Sequence, residues 1–145
     1  MASAPAKAVA NLQPFIGTWD TFGTILGADG KAEGELRATD IYEWFPGKFF
    51  LLHHVEGRLG DVEVRTLEVV GPGENGRCVA RSYDNVGQSE EYSVVLQGRN
   101  WIIDSDTQRF RGSFSGDFRM LEGRWEASDY GRTWRPWMNI TLRKR

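Results

Sequence analysis

Residues 89–115 read SEEYSVVLQGRNWIIDSDTQRFRGSFS, and this stretch carries the pattern that decides the fold. Apolar and polar side chains alternate through segments at 89–97, 100–105 and 108–115, with Gly98 and Asp106 between them. A period of two predicts half-buried β-strands, and the closely spaced turn residues predict hairpins. The stretch is therefore typical of consecutive antiparallel strands.

The same rhythm extends over most of the chain. It predicts further strands at 17–26, 33–45, 48–57, 61–70, 77–84, 118–128 and 133–143. Ten strands with short connections predict an all-β, up-and-down antiparallel β-barrel with little or no helix, because closure removes edges that would template aggregation. We expect residues 13–145 to form this single domain and residues 1–12 to form a flexible N-terminal arm.

The composition argues against several classes of partner and site. The 145 residues carry a net charge of −2 with both signs interspersed, which predicts neither nucleic-acid nor membrane binding. A single cysteine, Cys78, allows no internal disulfide, and neither a signal peptide nor an apolar span is evident, so we expect a cytoplasmic protein. The common metal, nucleotide and hydrolase motifs are missing, so no metal and no cofactor is predicted.

The two histidines, His53 and His54, are adjacent. Neighbouring strand residues point to opposite faces of a sheet, so one histidine faces the interior and the other faces outward. Positions 49, 51, 53 and 55 are the more apolar set, which favours an inward His53. Its chemistry makes it a candidate catalytic residue that exchanges a proton with a ligand, and the alternative is a hydrogen-bonded packing residue.

Other polar side chains in the predicted strands are candidates for ligand binding. Inward members of this set would either pair as arginine with a carboxylate in a structural role or orient a ligand carboxylate or carbonyl, since arginine binds oxyanions in a fork. The alternation of odd and even positions along a strand does not by itself show which members of this set face the interior. The candidate ligand-binding residues are Tyr42, His53, Arg65, Arg81, Tyr83, Tyr92 and Arg111.

A family resemblance begins at the first strand. The segment Phe15-Ile16-Gly17-Thr18-Trp19 resembles the Gly-x-Trp signature of calycins, the lipocalins and fatty-acid-binding proteins. That resemblance implies that Trp19 plugs one end of the barrel and that an arginine of the last strand, Arg143, covers its ring. Segments 42–47 and 125–134 are similar to uncharacterised bacterial lipocalin-like domains.

The departures from these families narrow what the resemblance implies. Fatty-acid-binding proteins insert two helices after the first strand, where this chain has only a short turn at 27–31. Nitrobindin, a haem-binding barrel, has an axial histidine late in its chain, whereas no histidine follows His54 here. The resemblance therefore predicts a fold rather than an activity.

Three functions remain open at this point. The first is binding of a small, mostly apolar ligand inside the barrel. The alternatives are a cofactor-independent enzyme on the same scaffold, with isomerase, cyclase or lyase chemistry, and a dimeric structural module with a filled lumen. The apolar run at 49–52 would place large side chains on both faces of one strand, which predicts a homodimer through the outer wall.

Overall fold

The strands form one closed, ten-stranded antiparallel barrel in the computed structural model, which describes residues 4–129 and 131–145. Each strand pairs with the next in sequence, and the last pairs with the first. The bounds are β1 Gly17–Leu26, β2 Ala32–Trp44, β3 Leu51–Leu59, β4 Val62–Pro72, β5 Cys78–Asp84, β6 Ser89–Gln97, β7 Asn100–Asp104, β8 Gln108–Phe114, β9 Met120–Ser128 and β10 Trp134–Lys144. The predicted up-and-down β-barrel with little helix is confirmed.

One predicted strand begins later than expected. Residues 45–50 form a turn before β3, in which the amide of Phe45 donates to the carbonyl of Phe50 at 2.9 Å. Lys48 has φ 63°, a left-handed conformation that a strand does not contain. Phe50 therefore lies in a turn, so the prediction that 49–52 is one strand with large side chains on both faces is wrong.

The closed end of the barrel is filled by side chains. A short helix, α1 Lys7–Ala10, and a 3₁₀ turn, Gln13–Phe15, lie at this end. The ring of Phe15 is buried between Tyr42, Trp101 and Phe114, with centroid distances of 4.9, 4.7 and 5.0 Å.

In the described part of the chain, no helix is both long and apolar enough to cross a membrane.

The N-terminal segment contributes to this core. Val9 and Leu12 are fully buried among the barrel side chains, although both belong to the predicted arm at 1–12. Residues 1–3 of that arm lie outside the described residues. The division into a flexible arm and a barrel at 13–145 stays a prediction, and the stability measurement in the Discussion tests it.

A basic side chain covers Trp19, but it is not the predicted one. Trp19 is fully buried and its indole Nε1 donates to the carbonyl of Phe15 at 2.8 Å. The β1–β10 register sets Trp19 opposite Lys144, whose Nζ lies 5.3 Å from the ring centroid. Arg143 is one position away and is exposed on the outer face, so the prediction that it covers the plug is wrong.

Burial decreases towards the other end of the barrel. Inward positions near that end, such as Leu36, Val64 and Ser82, are only partly buried. The interior thus changes from a packed aromatic core at the end beside α1 to a more open region at the opposite end. The candidate site lies between the two.

Candidate functional site

A cavity of about 100 Å³ lies inside the barrel above the packed core. Its polar part is formed by Asp40, Tyr42, His53 and Glu68, which belong to β2, β3 and β4. Its apolar part comes largely from β7 to β10 and includes Trp101, Ile103, Phe110, Leu121, Trp125 and Ile140. One side of the cavity can therefore form hydrogen bonds, and the opposite side offers apolar and aromatic surface.

Strand register brings the polar side chains together. His53 is paired across the β2–β3 ladder with Tyr42 and across the β3–β4 ladder with Glu68. Asp40 lies two residues before Tyr42, so both point to the same face of β2. Because β3 stands between β2 and β4, its inward histidine lies between the carboxylates of its two neighbours.

Both ring nitrogens of His53 are occupied by carboxylates. Nε2 lies 2.6 Å from Oδ2 of Asp40, and Nδ1 lies 3.0 Å from Oε1 of Glu68. The hydroxyl of Thr21 donates to the other oxygen of Asp40 at 2.6 Å. Two carboxylate acceptors require both ring nitrogens to donate, so His53 is an imidazolium held in a fixed orientation.

The pKa of His53 reflects this arrangement. Burial alone lowers the pKa, because it disfavours the charged ring, but the hydrogen bonds to Asp40 and Glu68 and the two negative charges outweigh burial. The result is a pKa raised from 6.5 to about 9. His53 therefore stays protonated throughout the physiological pH range.

This shift predicts a pH-dependent stability. A histidine whose pKa is higher in the folded state contributes its full stabilisation below pH 6.5 and loses it as the pH rises through about 9. The free energy of unfolding should fall by up to about 3 kcal/mol between pH 6 and pH 9.5, at about 1.4 kcal/mol per pKa unit. Urea unfolding across this range measures the fall.

The variant His53→Gln isolates the histidine in that measurement, because glutamine does not titrate. The native protein should lose stability faster than this variant as the pH rises. His54→Gln is the matched control, since the His54 side chain is 40% exposed and lies 3.3 Å from the carboxylate of Glu43. Parallel curves for the native protein and His53→Gln would contradict the assignment.

Tyr42 completes the polar side of the cavity. Its ring stacks on His53 with centroids 3.9 Å apart and planes 9° from parallel, a geometry that suits an imidazolium over an aromatic face. Burial, followed by the charges of Asp40 and Glu68, raises the pKa of the Tyr42 hydroxyl well above its ordinary value. The tyrosine is 7% exposed, and its hydroxyl makes no hydrogen bond to a described residue but keeps some accessible surface.

Four of the predicted ligand-binding residues do not reach the interior. Arg65, Arg81, Tyr83 and Arg111 occupy outward positions of β4, β5 and β8 and are exposed. The three arginines form surface ion pairs with Glu56, Glu91 and Asp104 at 3.2, 3.0 and 2.7 Å. Strand parity excludes all four from contact with a molecule in the cavity, so their assignment to an interior ligand site is wrong.

The remaining candidates face inward. His53 and Tyr42 line the cavity, and Tyr92 is partly buried near it, with its ring 6.0 Å from that of Trp125. The role of these three residues in binding stays a prediction. Sequence reasoning did not find Asp40 and Glu68, because an acidic residue in an alternating strand is ordinarily assigned to the solvent face.

The geometry argues against His53 as a catalytic acid or base. A general base needs a free lone pair, and both ring nitrogens here carry hydrogens directed at carboxylates. Neither nitrogen is therefore free to bond to a molecule in the cavity. His53 instead orients Asp40 and Glu68 and offsets one of their two negative charges, which makes it a positioning residue.

The fold is similar to that of known β-barrels. No protein-family model and no curated protein matches the chain. The crystal structure of Rv2717c from M. tuberculosis aligns over 97% of this chain and 99% of its own, with a TM-score of 0.67 and 13% identity. A de novo designed fluorescence-activating β-barrel aligns over 92% of this chain and 95% of its own, with a TM-score of 0.50 and 16% identity. By fold, the chain is a closed antiparallel β-barrel with barrel-shaped structural neighbours.

Proposed function

We propose that this protein binds a small, mostly apolar molecule in the cavity between the aromatic core and the open half of the barrel. The observation that carries the proposal is the cavity itself, which has Asp40, Tyr42, His53 and Glu68 on one side and apolar and aromatic side chains on the other. Sites that bind small molecules are concave and mostly apolar, with a few polar groups that fix the orientation of the ligand. A ligand that fills the apolar part and forms a hydrogen bond with the polar side would match this arrangement.

The size of the cavity limits the ligand. A dry cavity of about 150 Å³ in a protein core can hold benzene. The cavity here is about 100 Å³, and it is bordered by the more open half of the barrel. We infer a ligand whose buried part is about one aromatic ring in size.

The two alternative functions have less support. An enzyme with His53 as its acid or base would need a ring nitrogen that can reach the substrate, and both nitrogens are bonded to carboxylates. A structural module with a filled lumen fits the closed half of the barrel, where Phe15 and Trp19 are buried. It does not account for the cavity with one polar side.

Two finer expectations remain proposals beside this function. We infer from the Gly-x-Trp segment that the barrel is related to calycins. We also retain the homodimer as a proposal, now supported only by the exposed rings of Phe45 and Phe50, which are 51% and 43% accessible.

Ligand binding can be tested by NMR with toluene as a neutral, ring-sized probe. We expect saturable shifts of the backbone amides of Tyr42 and His53, with a dissociation constant at or below about 1 mM. The variant Ile103→Trp should abolish the shifts by filling the cavity from β7. Ile102→Trp is the matched control, because the neighbouring residue points to the other face of the strand.

Overpacking can disturb a core, so the folded state of each variant needs its own check. A dispersed amide spectrum without probe provides it, and Ile140→Phe offers a smaller filling substitution on β10. Unchanged spectra of the native protein at saturating toluene would contradict the proposed function. Equal binding by the native protein and a folded filled variant would also contradict it.

A further inference from the structure

We propose that the cavity selects ligands that carry a protonated amine on a ring-sized apolar group and rejects carboxylates. This inference rests on the proposed function and names the chemical class of its ligand. It reverses the expectation that arginines would bind an oxyanion inside the barrel. Three features of the cavity wall support it, and the charges towards the open end add a fourth argument.

The first feature is the charge of the cavity wall. Asp40 and Glu68 supply two negative charges, and the imidazolium of His53 supplies one positive charge. No lysine or arginine is found among the described residues that line the cavity. The wall thus has a net charge of −1, which favours a cation and opposes an anion in a poorly solvated site.

The second feature is a pair of polar atoms without partners. Asp40 uses one oxygen for His53 and the other for Thr21. Glu68 uses only Oε1, so its second oxygen accepts no hydrogen bond from any described residue. Glu68 and Tyr42 both line the cavity, so this oxygen and the Tyr42 hydroxyl can accept hydrogen bonds from an ammonium group there.

The third feature is the aromatic wall opposite these acceptors. Trp125 lies 5.3 Å from Phe110 and 6.3 Å from Trp137, measured between ring centroids, and Trp101 lines the same cavity. Aromatic faces attract cations and also bury the apolar part of a ligand. Burying an ammonium group is costly without a carboxylate partner, and Glu68 provides one.

The negative field extends towards the open end. Tyr92 lies on the inward face of β6, and its pKa is raised by burial and by the charges of Glu90 and Glu68. The phenol is thus held neutral beside two carboxylates. A cation that approaches from the open half would meet favourable charge before it reaches Glu68.

The test compares four probes of similar size in the native protein at pH 7. Benzylamine is cationic, benzoate is anionic, and benzyl alcohol and toluene are neutral. We expect benzylamine to bind at least tenfold more tightly than benzoate by NMR titration, with the neutral probes between them. Equal or tighter binding of benzoate overturns the inference.

A charge-removing variant assigns the preference to this site. Glu68→Gln should weaken benzylamine binding at least fivefold and leave toluene binding within twofold. Glu91→Gln is the control, because Glu91 is exposed on the outer face of β6. If Glu68→Gln leaves the preference for benzylamine unchanged, the inference is wrong.

The outcomes for the two proposals can be distinguished. Binding of toluene with no preference between benzylamine and benzoate overturns the ligand class and leaves the proposed function intact. Binding of none of the four probes overturns both. Binding of benzylamine that survives Ile103→Trp places the amine outside the cavity and overturns the ligand class alone.

Discussion

Replacing His53 by alanine should destabilise the fold by about 3–5 kcal/mol, the usual cost of removing one partner from a buried ionic cluster. The imidazolium is the positive charge that both Asp40 and Glu68 contact, and the His53 side chain is 13% exposed. Alanine would leave two carboxylates in the interior without a counter-charge. It would also remove the ring that stacks on Tyr42 at 3.9 Å.

Urea unfolding at pH 7 measures this loss, and the adjacent histidine supplies the control. His54 is on the outer face, 40% exposed, with Glu43 at 3.3 Å as its partner. Surface ion pairs of this kind contribute little, so His54→Ala should change the stability by no more than about 0.5 kcal/mol. Equal effects of the two substitutions would show that His53 is not the central residue of the cluster.

A double variant separates the lost charge from the lost packing. Asp40→Asn combined with His53→Ala removes one of the two uncompensated carboxylates. If unpaired charge is the main cost, the double variant should be more stable than His53→Ala by about 1–2 kcal/mol, although it changes one residue more. If the double variant is less stable than His53→Ala, the main cause of the destabilisation is the lost packing of the His53 ring and not the unpaired charge.

The fold could be predicted because its signal is local. A period of two and a turn about every ten residues are visible in the sequence, as residues 89–115 illustrate. The inward position of His53 follows from the same parity and from the apolar neighbours at positions 51 and 55. The error at Phe50 has a local cause too, because an apolar run does not show where a turn ends and a strand begins.

The site itself could be predicted only in part, because it depends on the register between strands. His53 meets Glu68 because the tight turn at Gly60 and Asp61 pairs Leu59 with Val62, and each further step along β3 is matched by one along β4. A turn one residue longer or shorter would have put Glu68 on the outer face. Sequence periodicity indicates which residues alternate between the two faces of a strand. It does not show which residue of one strand is paired with which residue of the next.

The misassigned arginines have a related explanation. Arg65 and Arg81 lie in strands where outward positions also carry apolar residues, such as Leu67 and Val69. Alternation is therefore weak in β4, and the inward face could not be chosen from composition. The ion pairs that satisfy these arginines lie on the outside of the barrel and become visible only once the register is known.

Replacing Leu12 by alanine should lower the free energy of unfolding by about 2–5 kcal/mol, as expected for a large apolar side chain in a packed core. Leu12 is fully buried, and it lies with Val9 in the aromatic and aliphatic cluster at the closed end. The barrel strands at this end are lined by large rings, so a cavity left by Leu12 could collapse only in part. Urea unfolding monitored by tryptophan fluorescence would report the change.

This substitution also decides whether residues 1–12 are an arm or part of the barrel domain. A flexible arm contributes no packing, so an arm would make Leu12→Ala neutral within about 0.5 kcal/mol. Asn11→Ala is the matched control, because Asn11 is the adjacent residue and is exposed. A loss confined to Leu12→Ala would extend the domain to include α1, since the N-terminal segment would then close the barrel as a component of its core. Equal, small effects of both substitutions would restore the boundary at residue 13.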